Sequence, residues 1–101
     1  MGEGSPLKNV ELSDVVFPEV AEEFFNWLVV ERGRAANTVD AYRRDIAQYL
    51  LYLRDIRSTL MKVKVEDVEN FLTMRLENGA AKSSLARQFS ALRMLHRFMV
   101  E

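Results

Sequence analysis

Residues 24–53 read FFNWLVVERGRAANTVDAYRRDIAQYLLYL, and this stretch decides the fold. Phe24, Trp27 and Leu28 recur at i, i+3 and i+4, the spacing of one helical face. Gly33 follows, a residue suited to closing a helix in the left-handed conformation. Val39, Tyr42, Ile46, Leu50 and Leu53 then repeat at about 3.6 residues, a second amphipathic helix. Two helices joined by a tight glycine turn are therefore expected, one over about 18–32 with Pro18 in its first turn and one over about 36–54.

Beyond this hairpin the pattern stays helical. A connector over about 55–64 carries Leu60 and Val63 as expected core plugs. Spacing predicts a third helix over about 65–77, with Val68, Leu72 and Leu76 inward, Phe71 beside them and Asn78-Gly79 as its stop. A fourth is predicted over about 82–100, with Leu85, Phe89, Leu92, His96 and Met99 on its core face. No alternating strand pattern, internal repeat or low-complexity tract is present. The expected fold is all-α, a compact four-helix domain over residues 17–101 whose core includes Trp27, Tyr42, Leu50, Leu72, Phe89 and Leu92. Residues 1–16 are expected to be a flexible N-terminal segment, partly vector-derived.

Composition narrows the function. Of 101 residues, 49% are apolar, enough for one packed core. Cysteine is absent, which excludes disulfides and cysteine-bound zinc and fits a cytoplasmic setting. No apolar run reaches the ~18 residues that a membrane helix needs. The net charge is −1, but it is unevenly placed. Residues 1–31 hold seven acids and one base, whereas residues 32–101 hold thirteen bases and eight acids. Between Asn78 and Val100 lie Lys82, Arg87, Arg93 and Arg97 and no acid. Partner choice follows such local fields rather than total charge.

Catalytic, cofactor and metal readings find little support. The single histidine, His96, lies on the core face with Leu92 and Met99. It reads as a packed structural residue, with a DNA or partner contact as the alternative. Glycines are scattered, so no phosphate loop exists. Glu22-Glu23 and Glu66-Asp67 sit in helix first turns, where carboxylates complement the dipole, and this outweighs a metal site. No catalytic residue, cofactor or metal is expected.

The polar faces say more. On the fourth helix Ser83, Arg87, Ser90, Met94 and Arg97 cluster opposite the apolar stripe, flanked by Lys82 and Arg93. Small hydroxyls let a helix approach a groove closely, while arginines reach phosphates or guanine. The competing reading is a solvated basic face. On the second helix Asn37, Ala41, Arg44 and Gln48 project together, with Thr38 in the first turn; amide side chains there can read adenine, and first-turn N–H groups can hold a phosphate.

The same residues carry a family resemblance. Glu31-Arg32-Gly33, then Asn37, Thr38, Ala41, Tyr42, Arg43, Arg44, Asp45 and Ile46, are similar to the opening of Xer-type tyrosine recombinases and phage integrases. VKVEDVENFLTMRLENG (63–79) resembles that family's third helix. SSLARQFSALRMLHRFMV (83–100) resembles its fourth, with Ser84, Leu85, Arg87, Ser90, Ala91, Leu92, Arg93 and Phe98 in register. The resemblance spans about residues 18–101. It implies a SAM-like orthogonal bundle, the N-terminal core-binding half of a clamp around duplex DNA, crossing the major groove with its second and fourth helices. It points to Asn37, Thr38, Ala41, Arg44 and Gln48 on one helix and to Lys82, Ser83, Ser84, Arg87 and Ser90 on the other; the charge pattern adds Arg93 and Arg97. Such proteins often carry Ser or Thr caps where Ala35, Lys64 and Ala81 stand, and Asp40 is a poor phosphate neighbour. The family's catalytic Arg, Lys, His and Tyr belong to a second domain, which these 101 residues do not include; an excised domain and a naturally truncated relative are both consistent with that. The partner implied is double-stranded DNA, with other recombinase protomers assembling on it and no membrane. A helical protein–protein module, docking through Leu51, Tyr52 and Met94, is the alternative. The domain alone is expected to be a monomer.

Overall fold

The computed structural model describes residues 12–101. The expected N-terminal segment lies partly outside these. Its described part contains a 3-10 turn, Leu12–Asp14, resting against the second helix. Four helices follow: α1 (Glu19–Val30), α2 (Ala36–Asp55), α3 (Val65–Glu77) and α4 (Lys82–Val100). The bundle is all-α, as the periodicities require. α2 is its spine, packing on α4 and on α1, while α3 docks on α4.

The chain punctuates its helices largely through backbone geometry. Pro18 stands at the N-cap of α1 rather than inside its first turn, and its carbonyl accepts from the Ala21 and Glu22 N–H groups at 2.9 and 3.2 Å. Gly33 has φ +62° and reverses the chain so that the Arg34 N–H reaches the Leu28 carbonyl at 3.0 Å. Nothing crowds a Cβ at Gly33, so its conformation, not space, calls for glycine. α3 ends at Gly79 (φ +91°), with Gly79 N–H on Leu76 and Ala80 N–H on Arg75, both at 3.0 Å. These paired bonds satisfy two of the helix's last carbonyls. Arg57 takes the equivalent left-handed position after α2 with φ +59°. Ala35, Lys64 and Ala81 all occupy N-caps and none caps through its side chain. At α3 the Asp67 carboxylate compensates by accepting from the Lys64 backbone N–H at 2.9 Å.

Phe24, Leu28, Ile46, Tyr49, Leu53, Phe71, Leu92 and Leu95 form the centre of the core. Of the expected core, Tyr42 and Leu92 are buried, and Trp27, Leu50 and Leu72 are half-buried and packed against it. Phe89 is different: 43% of its surface is exposed. The core stripe of α4 runs through Gln88, Ala91, Leu92 and Leu95, displaced by one residue from the expected Leu85–Phe89–Leu92 line. Gln88 is fully buried because every polar atom of its amide finds a partner, described below, so a polar residue occupies a core position. Leu76 is exposed, and Phe71 rather than Val68 or Leu72 is the buried residue of α3. The residues expected to be free for docking also differ. Tyr52 and Met94 pack against the core, and half-buried Leu51 lies beside Val15 and Val16.

Candidate nucleic-acid interface

A buried polar network fixes α2 against α4. The Asp45 carboxylate, with 3% of its side chain exposed, accepts from Arg87 Nε at 2.8 Å and Nη2 at 2.9 Å. The fork geometry is the bidentate arrangement that makes arginine–carboxylate pairs strong. This pairing holds the Arg87 pKa above its ordinary value, with burial opposing the effect. Next to it, the Gln88 Nε2 donates to the Asp45 carbonyl at 3.0 Å and to Gln48 Oε1 at 2.9 Å. Gln88 Oε1 accepts from Arg75 Nε of α3 at 3.1 Å. One amide therefore ties three helices together.

A second polar contact closes the far side. Tyr49 Oη and His96 Nε2 are 2.8 Å apart, and their rings meet edge to face. Burial pushes the Tyr49 pKa well up, with Asp67 adding to the effect, and burial pulls the His96 pKa below 6.5. A neutral imidazole suits this half-buried place, so His96 is a packed, hydrogen-bonded residue.

Relative to this frame the expected interface residues divide into two groups. Asn37 and Arg44 on α2, and Lys82, Ser83, Ser90, Arg93 and Arg97 on α4, are exposed. Thr38, Ala41, Gln48, Ser84 and Arg87 are half-buried. Gln48 and Arg87 are already engaged in the network, so the structure uses them to set the two helices in register. The Arg93 guanidinium lies over the Phe89 ring, 5.6 Å from its centroid. Arg43 is committed elsewhere, bridging to Glu22 at 3.1 Å and stacking on Phe25 and Phe17.

Two basic residues absent from the expected set adjoin this surface. Arg32 and Arg34 flank Gly33 and line one concavity with Tyr42, Ser90, Arg93 and Arg97. The signal was present as Arg-Gly-Arg, but only the folded turn reveals that both side chains lie beside α4. On the opposite flank of α4 an apolar groove of about 470 Å³ runs between α3 and α4, lined by Val65, Val68, Leu72, Phe89 and Leu92. Among the described residues no group of three or more His, Cys, Asp or Glu side chains could hold a metal, and no helix is long and apolar enough to cross a membrane.

The chain belongs to the phage integrase N-terminal SAM-like domain family, whose model matches residues 21–101, and this membership makes the four-helix bundle a recombinase-associated domain. Tyrosine recombinase XerD of Oceanobacillus iheyensis is 35% identical over 81 residues, 78% of this chain and 27% of that protein. The XerD proteins of Rhizobium meliloti and Yersinia pestis are each 35% identical over 78 residues, 77% of this chain and 25% and 26% of theirs. This chain thus spans about a quarter of the length of the curated relatives it matches. No solved structure matches it.

Proposed function

We propose that this chain is the DNA-gripping, core-binding domain of a tyrosine recombinase. It positions a recombination half-site through the major groove with the outward faces of α2 and α4. The observation that carries the reading is α4 itself. From Lys82 to Val100 it holds four cations and no carboxylate. Its exposed Lys82, Ser83, Ser90, Arg93 and Arg97 lie away from the Gln88–Leu92–Leu95 core stripe. A major groove about 12 Å wide admits such a helix, and short serines let it approach. On α2, Asn37 and Arg44 extend the surface, and the Asp45–Arg87 bridge holds the two faces at a fixed spacing. Strand breakage and rejoining belong to a second, catalytic domain of the parent protein, and the domain here acts without cofactor or metal. Alone it is a monomer, and protomers meet on DNA.

Fluorescence anisotropy with a labelled duplex tests this. If about four phosphates are neutralised, log K falls against log salt with a slope near −4. Binding that is insensitive to salt, or absent at about 50 mM salt, contradicts the proposal.

Protein docking remains a second reading because Phe89 and Val65 leave the α3–α4 groove open. Sedimentation separates the two: a stable dimer at micromolar concentration without DNA favours docking.

A further inference from the structure

We infer that the α1–α2 turn and the C-terminal half of α4 form an arginine cradle that holds a backbone phosphate of duplex DNA. The inference rests on the DNA-binding proposal but adds residues which that proposal does not need, Arg32 and Arg34. Four arginines, Arg32, Arg34, Arg93 and Arg97, line a single concavity of about 380 Å³ with Tyr42 and Ser90. Among the described residues none of the four pairs with a carboxylate, whereas Arg43 and Arg87 do. Like charges gathered in one hollow repel, and an anion in the hollow relieves that repulsion.

The most telling atom is Arg34 Nε. It is buried and has no hydrogen-bond partner. No group among the described residues satisfies it, so Arg34 brings an uncompensated guanidinium to the wall of the hollow, and its remaining N–H groups are the ones that can meet an anion there. Arg32 and Arg93 are held by aromatic faces rather than by acids, Arg32 over Trp27 at 5.6 Å and Arg93 over Phe89 at 5.6 Å. Stacking orients a guanidinium without neutralising it, which leaves its N–H edge for a ligand. A phosphodiester offers two non-bridging oxygens that share one negative charge, the acceptor pair that guanidinium forks bind. Exposed Ser90 and Arg97 open the hollow onto the same side of α4 that is proposed to meet the duplex. A phosphate still joined to its polymer can therefore enter.

The glycine turn explains the assembly. Gly33 at φ +62° places Arg32 and Arg34 on either side of a reversal, and the Arg34 N–H bond to Leu28 anchors it. Both side chains then return to α4, some sixty positions later in sequence.

The test is a salt series of duplex binding by the intact chain and by Arg32→Gln/Arg34→Gln, with Lys62→Gln as a control for charge on the α2–α3 connector. Losing one phosphate contact lowers the slope magnitude by about 0.9, equivalent to about eightfold weaker binding at 0.1 M salt, on every sequence. Lys62→Gln is expected to stay within twofold of the unsubstituted protein. Arg32→Gln alone, at an exposed turn position outside the α2 and α4 faces, is expected to give about a threefold loss and keeps the test decisive if the Arg34 change disturbs folding. Unchanged slope and affinity in folded cradle variants overturn the cradle while leaving DNA binding intact. No binding by the unsubstituted protein overturns the DNA proposal and the cradle with it.

Discussion

Arg87→Ala is expected to act first on stability. In the native state two charge-assisted bonds of 2.8 and 2.9 Å hold the Asp45 carboxylate, which has almost no contact with water. Deleting the partner of a buried ion pair leaves an uncompensated charge and costs about 3–5 kcal/mol. Here 40% of the Arg87 side chain is exposed, so water enters the vacated side and the low end, about 3 kcal/mol, applies. For a domain of this size total stability is about 5–15 kcal/mol, so the loss is a large fraction of it. With a urea m-value of about 1.5 kcal/mol/M, the midpoint falls by about 2 M. Asp45→Ala/Arg87→Ala removes the orphaned charge and leaves the Asp45 backbone carbonyl to Gln88. The double variant is therefore more stable than the sum of single losses predicts, with a coupling of about 2 kcal/mol. Urea unfolding followed by Trp27 fluorescence reads all three variants. A midpoint shift below about 0.3 M for Arg87→Ala, or simple additivity, refutes the reasoning and returns Arg87 to the DNA-facing set.

Leu95→Ala, at a fully buried position, is expected to cost about 2–5 kcal/mol, whereas Phe89→Ala costs about 1 kcal/mol or less because its ring is half in solvent. Equal losses by thermal unfolding contradict the displaced stripe. Arg57→Gly relieves a side chain held at φ +59°; a left-handed residue costs about 1–2 kcal/mol, partly offset by glycine's unfolded-state entropy, so a gain of about 0.5–1 kcal/mol is expected. A loss in denaturant titration contradicts it. Burial holds the His96 pKa below 6.5 in the folded state. The unfolded chain therefore binds the proton more readily, and the stability this group supplies is full above pH 6.5 and declines as pH falls below it, until the folded pKa is reached. Tm is expected to drop as pH falls below about 6.5, and His96→Gln to flatten that drop; an unchanged drop in the variant sinks the assignment.

Much of the fold was legible because each helix is bounded by residues with a fixed local meaning. Pro18, Gly33 and Gly79 each force a backbone state, and the limits of α3 and α4 match those the pattern predicts. Rotation of α4 was harder to read. Hydropathy alone places Phe89 inside and Gln88 outside, and it has no knowledge that Arg75, Gln48 and Asp45 satisfy the glutamine. The same blindness applies to Asp45, an acid flanked by Tyr42, Ile46 and Tyr49 at core spacing, which becomes a core residue only once Arg87 from α4 meets it. The exposure of Lys82, Ser83 and Arg97 was visible from one helix's periodicity. The Arg32–Arg34 contribution to the concavity was not, because it depends on a turn meeting a distant helix. Leu51, Tyr52 and Met94 looked free for a partner because a helical wheel cannot show the N-terminal segment, Phe71 or the neighbouring helix that covers each.

The central claim is that duplex DNA meets the outward faces of α2 and α4. An NMR titration of the isotopically labelled chain with a duplex at low salt tests it most directly. The account predicts amide and arginine side-chain shifts over residues 36–48 and 82–97, together with Arg32 and Arg34, and quiet signals across the core of α1 and most of α3. Shifts confined to α1 and α3, or none at millimolar duplex, contradict it.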